Sequence, residues 1–269
     1  MEREGVVVMN EMSFKVIKHE KIKLLNPVLI EALPGIANVA RIAGDYIIDT
    51  LKAKKIITIY SNTFPNSVFI NKFSLIELPK MEVYQWRDEK NKRDLLILVG
   101  DAQPVKEKDS YFISKKIIEL AKELRVKQVI TMGGIGLKVI PEKNVVHGAA
   151  TEESLVKKLE SLGAVCDGNK TVGLIFGAAG LLMAYAKFEK IPSVSLLAET
   201  FAHPQHLGFK ASKNILEILC DYLDFELDFT KLNKEIAKIK KREKAIIDED
   251  LKKTMEFQNL FKKDTRYIG

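Results

Sequence analysis

Short apolar runs alternate with amphipathic stretches through most of this chain. Pro27-Val28-Leu29-Ile30-Glu31-Ala32-Leu33, closed by Pro34-Gly35, predicts a buried strand and a turn. Ile36, Val39, Ala40, Ala43, Ile47, Ile48 and Leu51 then recur at helical spacing. The β-branched run from Lys55 to Tyr60 predicts a second strand, so the three elements form a βαβ unit and belong to a parallel sheet. The runs 67–70, 73–78, 82–87 and 94–99 predict antiparallel strands, with Glu89-Lys90-Asn91-Lys92 as a hairpin tip. A helix over 109–124 with Asp109 or Ser110 as N-cap comes next, then a strand over 128–132 ended by Gly133-Gly134. Thr151 opens a capping-box-like start to a helix reaching residue 162. A strand over 171–176, a helix over 178–188 and a strand over 192–198 predict a second βαβ unit. The helix over 210–223 carries Ile215, Leu216, Ile218, Leu219 and Tyr222 on its core side.

The pattern changes at Thr230. From there to Lys263 no proline or glycine occurs, and Leu232, Ile236, Ile239, Ile246, Ile247, Leu251 and Met255 recur at helical spacing. That stripe is too sparse for a core of its own and packs on the body or on another subunit. The expected organisation is an α/β core over 1–229, a charged helical extension over 230–263 and a flexible binding tail over 264–269.

Composition narrows the function classes. The 269 residues carry a formal net charge of +7, and 46% are hydrophobic, enough to bury a core. Lys231 to Arg266 holds 12 basic and 7 acidic residues, so most of the excess sits in the extension. There the two signs alternate as on a solvated helix face, which argues against a nucleic-acid surface. No run of 18 apolar residues predicts a membrane span, the N-terminus lacks a signal-peptide core, and the cytoplasm is the expected compartment. Cys166 and Cys220 are far apart and read as buried small hydrophobes.

The glycine-rich segments follow predicted strands: Pro34-Gly35, Gly100-Asp101-Ala102-Gln103-Pro104, Gly133-Gly134-Ile135-Gly136 and Gly177-Ala178-Ala179-Gly180. In open α/β sheets ligands bind beyond the carboxyl ends of the strands, so these turns share one rim. None has the spacing of a dinucleotide or P-loop motif; small-residue turns are the plainer reading. Ionisable and polar candidates at the rim are Asp101, Gln103, His147, Glu199, Thr200, His203 and His206. Asp101 reads as a general acid/base or a turn former. His203 and His206 read as loop histidines rather than metal ligands. No nucleophile elbow or Cys–His pattern is present.

A family likeness runs through these segments. Leu33-Pro34-Gly35-Ile36-Ala37-Asn38-Val39-Ala40 resembles the turn marking the archaeal branch of the proteasome assembly chaperone 2 family. Gly100 to Pro104, Gly177-Ala178-Ala179-Gly180-Leu181-Leu182 and Ile191 to Thr200 are similar to further signatures, in the family's order; Pro204 and Lys210-Ala211-Ser212 also fit. Ala37 and Ala40 replace two signature glycines, and such methyls crowd any phosphate at that turn. The likeness covers about residues 15–269. It implies a three-layer α/β/α fold related to that of purine nucleoside phosphorylase. It also implies homo-oligomers that act without ATP, or any other cofactor, as assembly chaperones for proteasome α subunits. Finally it implies a tail related to the hydrophobic-Tyr-any motif of proteasome activators, which contacts a lysine between α subunits.

The chain ends Arg266-Tyr267-Ile268-Gly269, with Tyr267 third from the end where the strict motif has it second. A tyrosine ring with a polar tip suits a partly wet pocket, and a terminal carboxylate is captured by a lysine or backbone nest. Several copies on one oligomer raise avidity by about 10²–10⁴. The reading is therefore a non-enzymatic proteasome chaperone or adaptor that binds α subunits or the α ring through Arg266 to Gly269. Pro34, Gly35, Asn38, Asp101, Gln103, Gly177, Gly180, Glu199 and Thr200 are rim-ligand candidates or structural turns. The alternative is a phosphorylase- or ligase-like enzyme acting on nucleosides or nucleotides at that rim, with a nucleic-acid module third.

Overall fold

Four central strands carry apolar side chains on both faces, as strands covered by helices on both sides must. They are β2 (Val28–Ala32), β7 (Arg93–Gly100), β8 (Gln128–Leu137) and β10 (Ser193–Phe201), mutually parallel in the order β7-β2-β8-β10. The computed structural model that shows this describes residues 14–239 except 20, 144 and 169. The sheet has eight strands. Beyond β7 it continues antiparallel through β6 (Met81–Asp88), β3 (Lys54–Tyr60) and β1 (Lys15–Lys18). Beyond β10 it ends in antiparallel β9 (Val146–Ala150).

Residues alternate between two cores. Ile30, Ile97, Ile130 and Leu196 point to one face, covered by α1 (Val39–Leu51), α3 (Glu153–Ser161) and α5 (Phe209–Leu223). Leu29, Leu96, Leu98 and Val129 point to the other, covered by α2 (Glu107–Glu123) and α4 (Ala178–Phe188). Each fully buried Leu or Ile stabilises by about 1.5–3 kcal/mol. Gly44 lies mid-helix in α1 because a Cβ there would stand 2.4 Å from the Ala32 Cβ, so the helix presses directly on β2. The fold is a three-layer α/β/α sandwich.

Several local expectations give way. Residues 171–176 form no strand: β8 and β9 already occupy both edges of β10, and Leu174 and Phe176 are exposed. Gly133-Gly134-Ile135-Gly136 is no turn. β8 runs through it, because the β2–α1 turn lies on the strand and a Cβ at Gly134 would meet the Ile36 carbonyl oxygen at 2.8 Å. Thr151 does not cap α3; its hydroxyl accepts from the Ser193 N–H at 2.9 Å and ties β9 to β10. α2 starts at Glu107, placing Asp109 in the first turn near the positive end of the helix dipole. The runs 67–70 and 73–78 reduce to β4 (Phe69–Ile70) and β5 (Ile76–Glu77), a separate two-stranded arm. Of the predicted extension, residues 230–239 are helical (α6), while the rest of it and the tail lie outside the described residues.

Candidate functional site at the carboxyl rim

The ends of β2, β7, β8 and β10 bring the predicted turns together, with Gln103 as their clasp. Its Nε2 donates to the Pro34 carbonyl at 2.6 Å, and its Oε1 accepts from the Ala178 N–H at 3.1 Å. The N-terminus of α4, a candidate anion cradle, therefore spends that donor on a side chain. Gly177 has φ 77°, and a Cβ there would stand 2.9 Å from Gln103 Oε1, so both conformation and space require glycine. At Gly180 a Cβ would meet the Ile175 carbonyl oxygen at 2.3 Å. Asp101 is engaged too: its carboxylate accepts from the Lys80 N–H at 3.1 Å and its own N–H donates to the Lys80 carbonyl at 3.0 Å. It closes the β6–β7 ladder.

The β2–α1 turn is left-handed at Ala37 (φ 49°) and Asn38 (φ 53°). Asparagine tolerates this region, whereas alanine stands there at a cost of about 1 kcal/mol. Pro34 is half-buried, while Gly35 and Asn38 are exposed. The Gly208 N–H donates to the Ala37 carbonyl at 2.8 Å, and the Ser212 hydroxyl reaches the Val39 carbonyl at 2.8 Å, fixing the start of α5 to this turn.

On the β10 side, Glu199 Oε1 lies 3.1 Å from His147 Nε2, and Thr200 Oγ1 lies 3.2 Å from His206 Nε2. Phe201 stacks on His203 and meets His206 edge-on, so the two loop histidines serve an aromatic cluster. Among the described residues no group of three His, Cys, Asp or Glu is placed to hold a metal. Deeper in the sheet, Glu31 is buried beside Thr131 of β8, itself beside Ser195 of β10. Burial pushes the Glu31 carboxyl up to about 7, against a partial pull from the Leu33 and Met132 N–H groups. Its Oε1 accepts from the Leu33 N–H at 3.0 Å, while Oε2 accepts no hydrogen bond.

The rim's largest feature is apolar, and the sequence reading missed it. Between β3 and β6, seven large hydrophobic side chains are exposed, among them Ile70 (72%), Phe73 (71%) and Ile76 (73%). Six more follow β2, β7, β8 or β10, or lead into α4; only four of the exposed large hydrophobics among the described residues lie elsewhere. The available signal was the unbroken run Val68-Phe69-Ile70 with Leu75-Ile76: apolar side chains on both faces of strands too short to be core. Ile236 and Ile239 of α6 share a cavity with Ile140 and Leu207, which follow β8 and β10, so the described chain ends at this same rim. Arg266, Tyr267, Ile268 and Gly269 lie outside the described residues.

The PAC2 family model matches residues 29–247, most of the chain. The chain belongs to the PAC2 family. Among solved structures, PbaB of Pyrococcus furiosus, described as an archaeal proteasome activator, is 31% identical. That match has a TM-score of 0.81 and covers 87% of this chain and 98% of PbaB. PbaA of the same organism, described as an archaeal homolog of proteasome-assembly chaperone, is 24% identical. Its TM-score is 0.69, with 85% of this chain and 94% of PbaA covered, a likeness of fold. Uncharacterized protein MJ1210 of Methanocaldococcus jannaschii is 31% identical over 256 residues, covering 91% of this chain and 93% of its own.

Proposed function

We propose that this PAC2 protein is an ATP-independent proteasome assembly chaperone or adaptor of the cytoplasm. It acts as a homo-oligomer and docks on proteasome α subunits through Arg266-Tyr267-Ile268-Gly269. The observation that carries the reading is the 31% identity to PbaB, a proteasome activator, over 98% of that chain. The tail supplies the chemistry: an aromatic anchor and a free carboxylate on a small terminal residue.

The apolar arm supports the oligomer. A two-stranded sheet is marginal in water on its own, and this one bares apolar side chains on both faces. We assign a second copy of the chain to it, because a tail this short gains useful strength only when several copies are held together. The enzyme reading loses ground at the rim itself: Asp101 is engaged by Lys80, and Gln103 takes the α4 donor.

The test is co-purification with proteasome α rings, using the full chain and a form lacking Tyr267-Ile268-Gly269. The full chain is expected to co-elute and the truncated one to be lost from the complex with an unchanged circular-dichroism spectrum. Equal capture of both forms would remove the tail from the account.

A further inference from the structure

Two apolar surfaces at the carboxyl rim lie bare, on opposite sides of the β7–β2 pair. One is the β4–β5 arm between β3 and β6. The other is the segment 171–176, which runs beside β8 into α4. Thr171-Val172-Gly173-Leu174-Ile175-Phe176 is a strand-forming sequence, but β10 has no edge left for it. Residues 172–176 nevertheless run without a turn or a bend. Their main chain makes no hydrogen bond to any other described residue. Leu174 and Phe176 are exposed, and beside them a groove of about 350 Å³ opens between Ile36, Ile135, Leu197 and Ala179.

The arm has the complementary need. It has two strands, so each keeps an unpaired edge, and a third strand is what makes such a sheet stable in water. Exposed edges are normally blunted by charge or proline. From Val68 to Ile76 only Lys72 is charged, and 171–176 carries no charge, so pairing the two opposes no like charges. The 1.5–3 kcal/mol of a buried large side chain corresponds to about 60–120 Å². At exposures from 45% to 83%, the seven on the arm with Leu174 and Phe176 offer about 350–700 Å² of apolar surface. With the groove walls, that reaches the apolar share of the smaller specific interfaces, which bury about 1,200 Å² in all. A contact of either surface with its own like leaves the other bare. One contact of arm on segment covers both.

We propose that the arm of one copy lies on residues 171–176 of the next, its free edge pairing with that segment and its apolar side chains filling the groove. The main chain supplies the hydrogen bonds, and the groove supplies the selectivity. Such a contact is head-to-tail, so every copy gives one arm and receives another. It rests on the assignment of a second copy to the arm, and adds where on that copy the arm lands.

Light scattering and circular dichroism on purified full-length chains test it. The arm variant is Ile70→Lys with Ile76→Lys, and the segment variant is Leu174→Lys with Phe176→Lys. All four side chains are exposed, so both variants are expected to keep the wild-type spectrum. Wild type is expected at a multiple of the single-chain mass of 30.4 kDa, and each variant alone at that single mass. An equimolar mixture is expected to regain twice the single mass, because the intact arm of one variant meets the intact segment of the other. A mixture that stays at single-chain mass would overturn the proposal, since each surface then meets its own like. A segment variant of wild-type size beside a smaller arm variant would also overturn it, while leaving a second copy on the arm. A single-chain wild type, or an arm variant of wild-type size, would overturn both.

Discussion

The sheet buries carboxylates near both ends, on neighbouring strands, and treats them oppositely. Asp94 opens β7 at the amino end and accepts from the Leu25 N–H at 2.5 Å, Gln85 Nε2 at 2.9 Å and Arg87 Nε at 2.6 Å. Nearby Asp88 is held by Asn91 and Arg93. Its carboxyl is held below its ordinary value: burial pushes it up, and these donors outweigh that. Glu31, close to the carboxyl end of β2, accepts one hydrogen bond and leaves an oxygen bare. The exposed side chains follow the same division, with the apolar ones gathered at the carboxyl rim. The amino-end carboxylates are satisfied within the chain. The carboxyl end keeps apolar side chains exposed, and there the described part of α6 ends.

The difference is testable from both sides. Asp94→Ala strips three donors of their acceptor and is expected to cost about 3 kcal/mol in denaturant unfolding. A loss under 1 kcal/mol would mean the amino end is not the finished one.

Glu31→Gln is expected to act the other way. A carboxyl whose folded pKa is raised keeps its stability below the unfolded value near 4.5 and loses it as pH rises towards about 7. The wild-type penalty is then at most about 3 kcal/mol above neutral pH. The glutamine variant is expected to be more stable by about 2 kcal/mol at pH 8 and no more stable at pH 4. Melting curves across that range decide it; a wild-type stability that rises between pH 5 and 7 alongside a flat variant would contradict it.

Gln103→Ala removes both halves of the rim clasp, with an expected loss of about 1–2 kcal/mol and faster hydrogen exchange at the start of α4. Smallest in stability is Ile70→Lys with Ile76→Lys on the arm, expected within about 0.5 kcal/mol of wild type because both side chains are exposed. Its effect is on size: light scattering is expected to show a smaller species. If size is unchanged and α-ring capture is lost, the arm meets the α subunit instead of a second copy.

Periodicity made most of this legible. Continuous apolar runs marked β2 and β7, and 3.6-residue spacing marked α1 and α5. The failures share a cause: the deciding contact is remote in sequence. Gly133 to Gly136 look like a turn until Ile36 packs on them, and 171–176 looks like a strand until β9 takes the free edge of β10. β9 itself, Val-His-Gly-Ala-Ala, has weak strand character and is held by pairing with β10. Pro34-Gly35 and Gly100 to Pro104 do follow β2 and β7, whereas Gly133 to Gly136 lie inside β8 and Gly177 follows no strand. Gln103 as a clasp was invisible, since its two partners lie 69 and 75 residues away.

The central claim is that the tail grips the proteasome. Affinity of the full-length protein for isolated α rings, compared between wild type and Tyr267→Ala, tests it most directly. Losing the tyrosine ring is expected to weaken binding by at least about tenfold with no change of size in light scattering. Equal affinity of the two proteins would contradict the account.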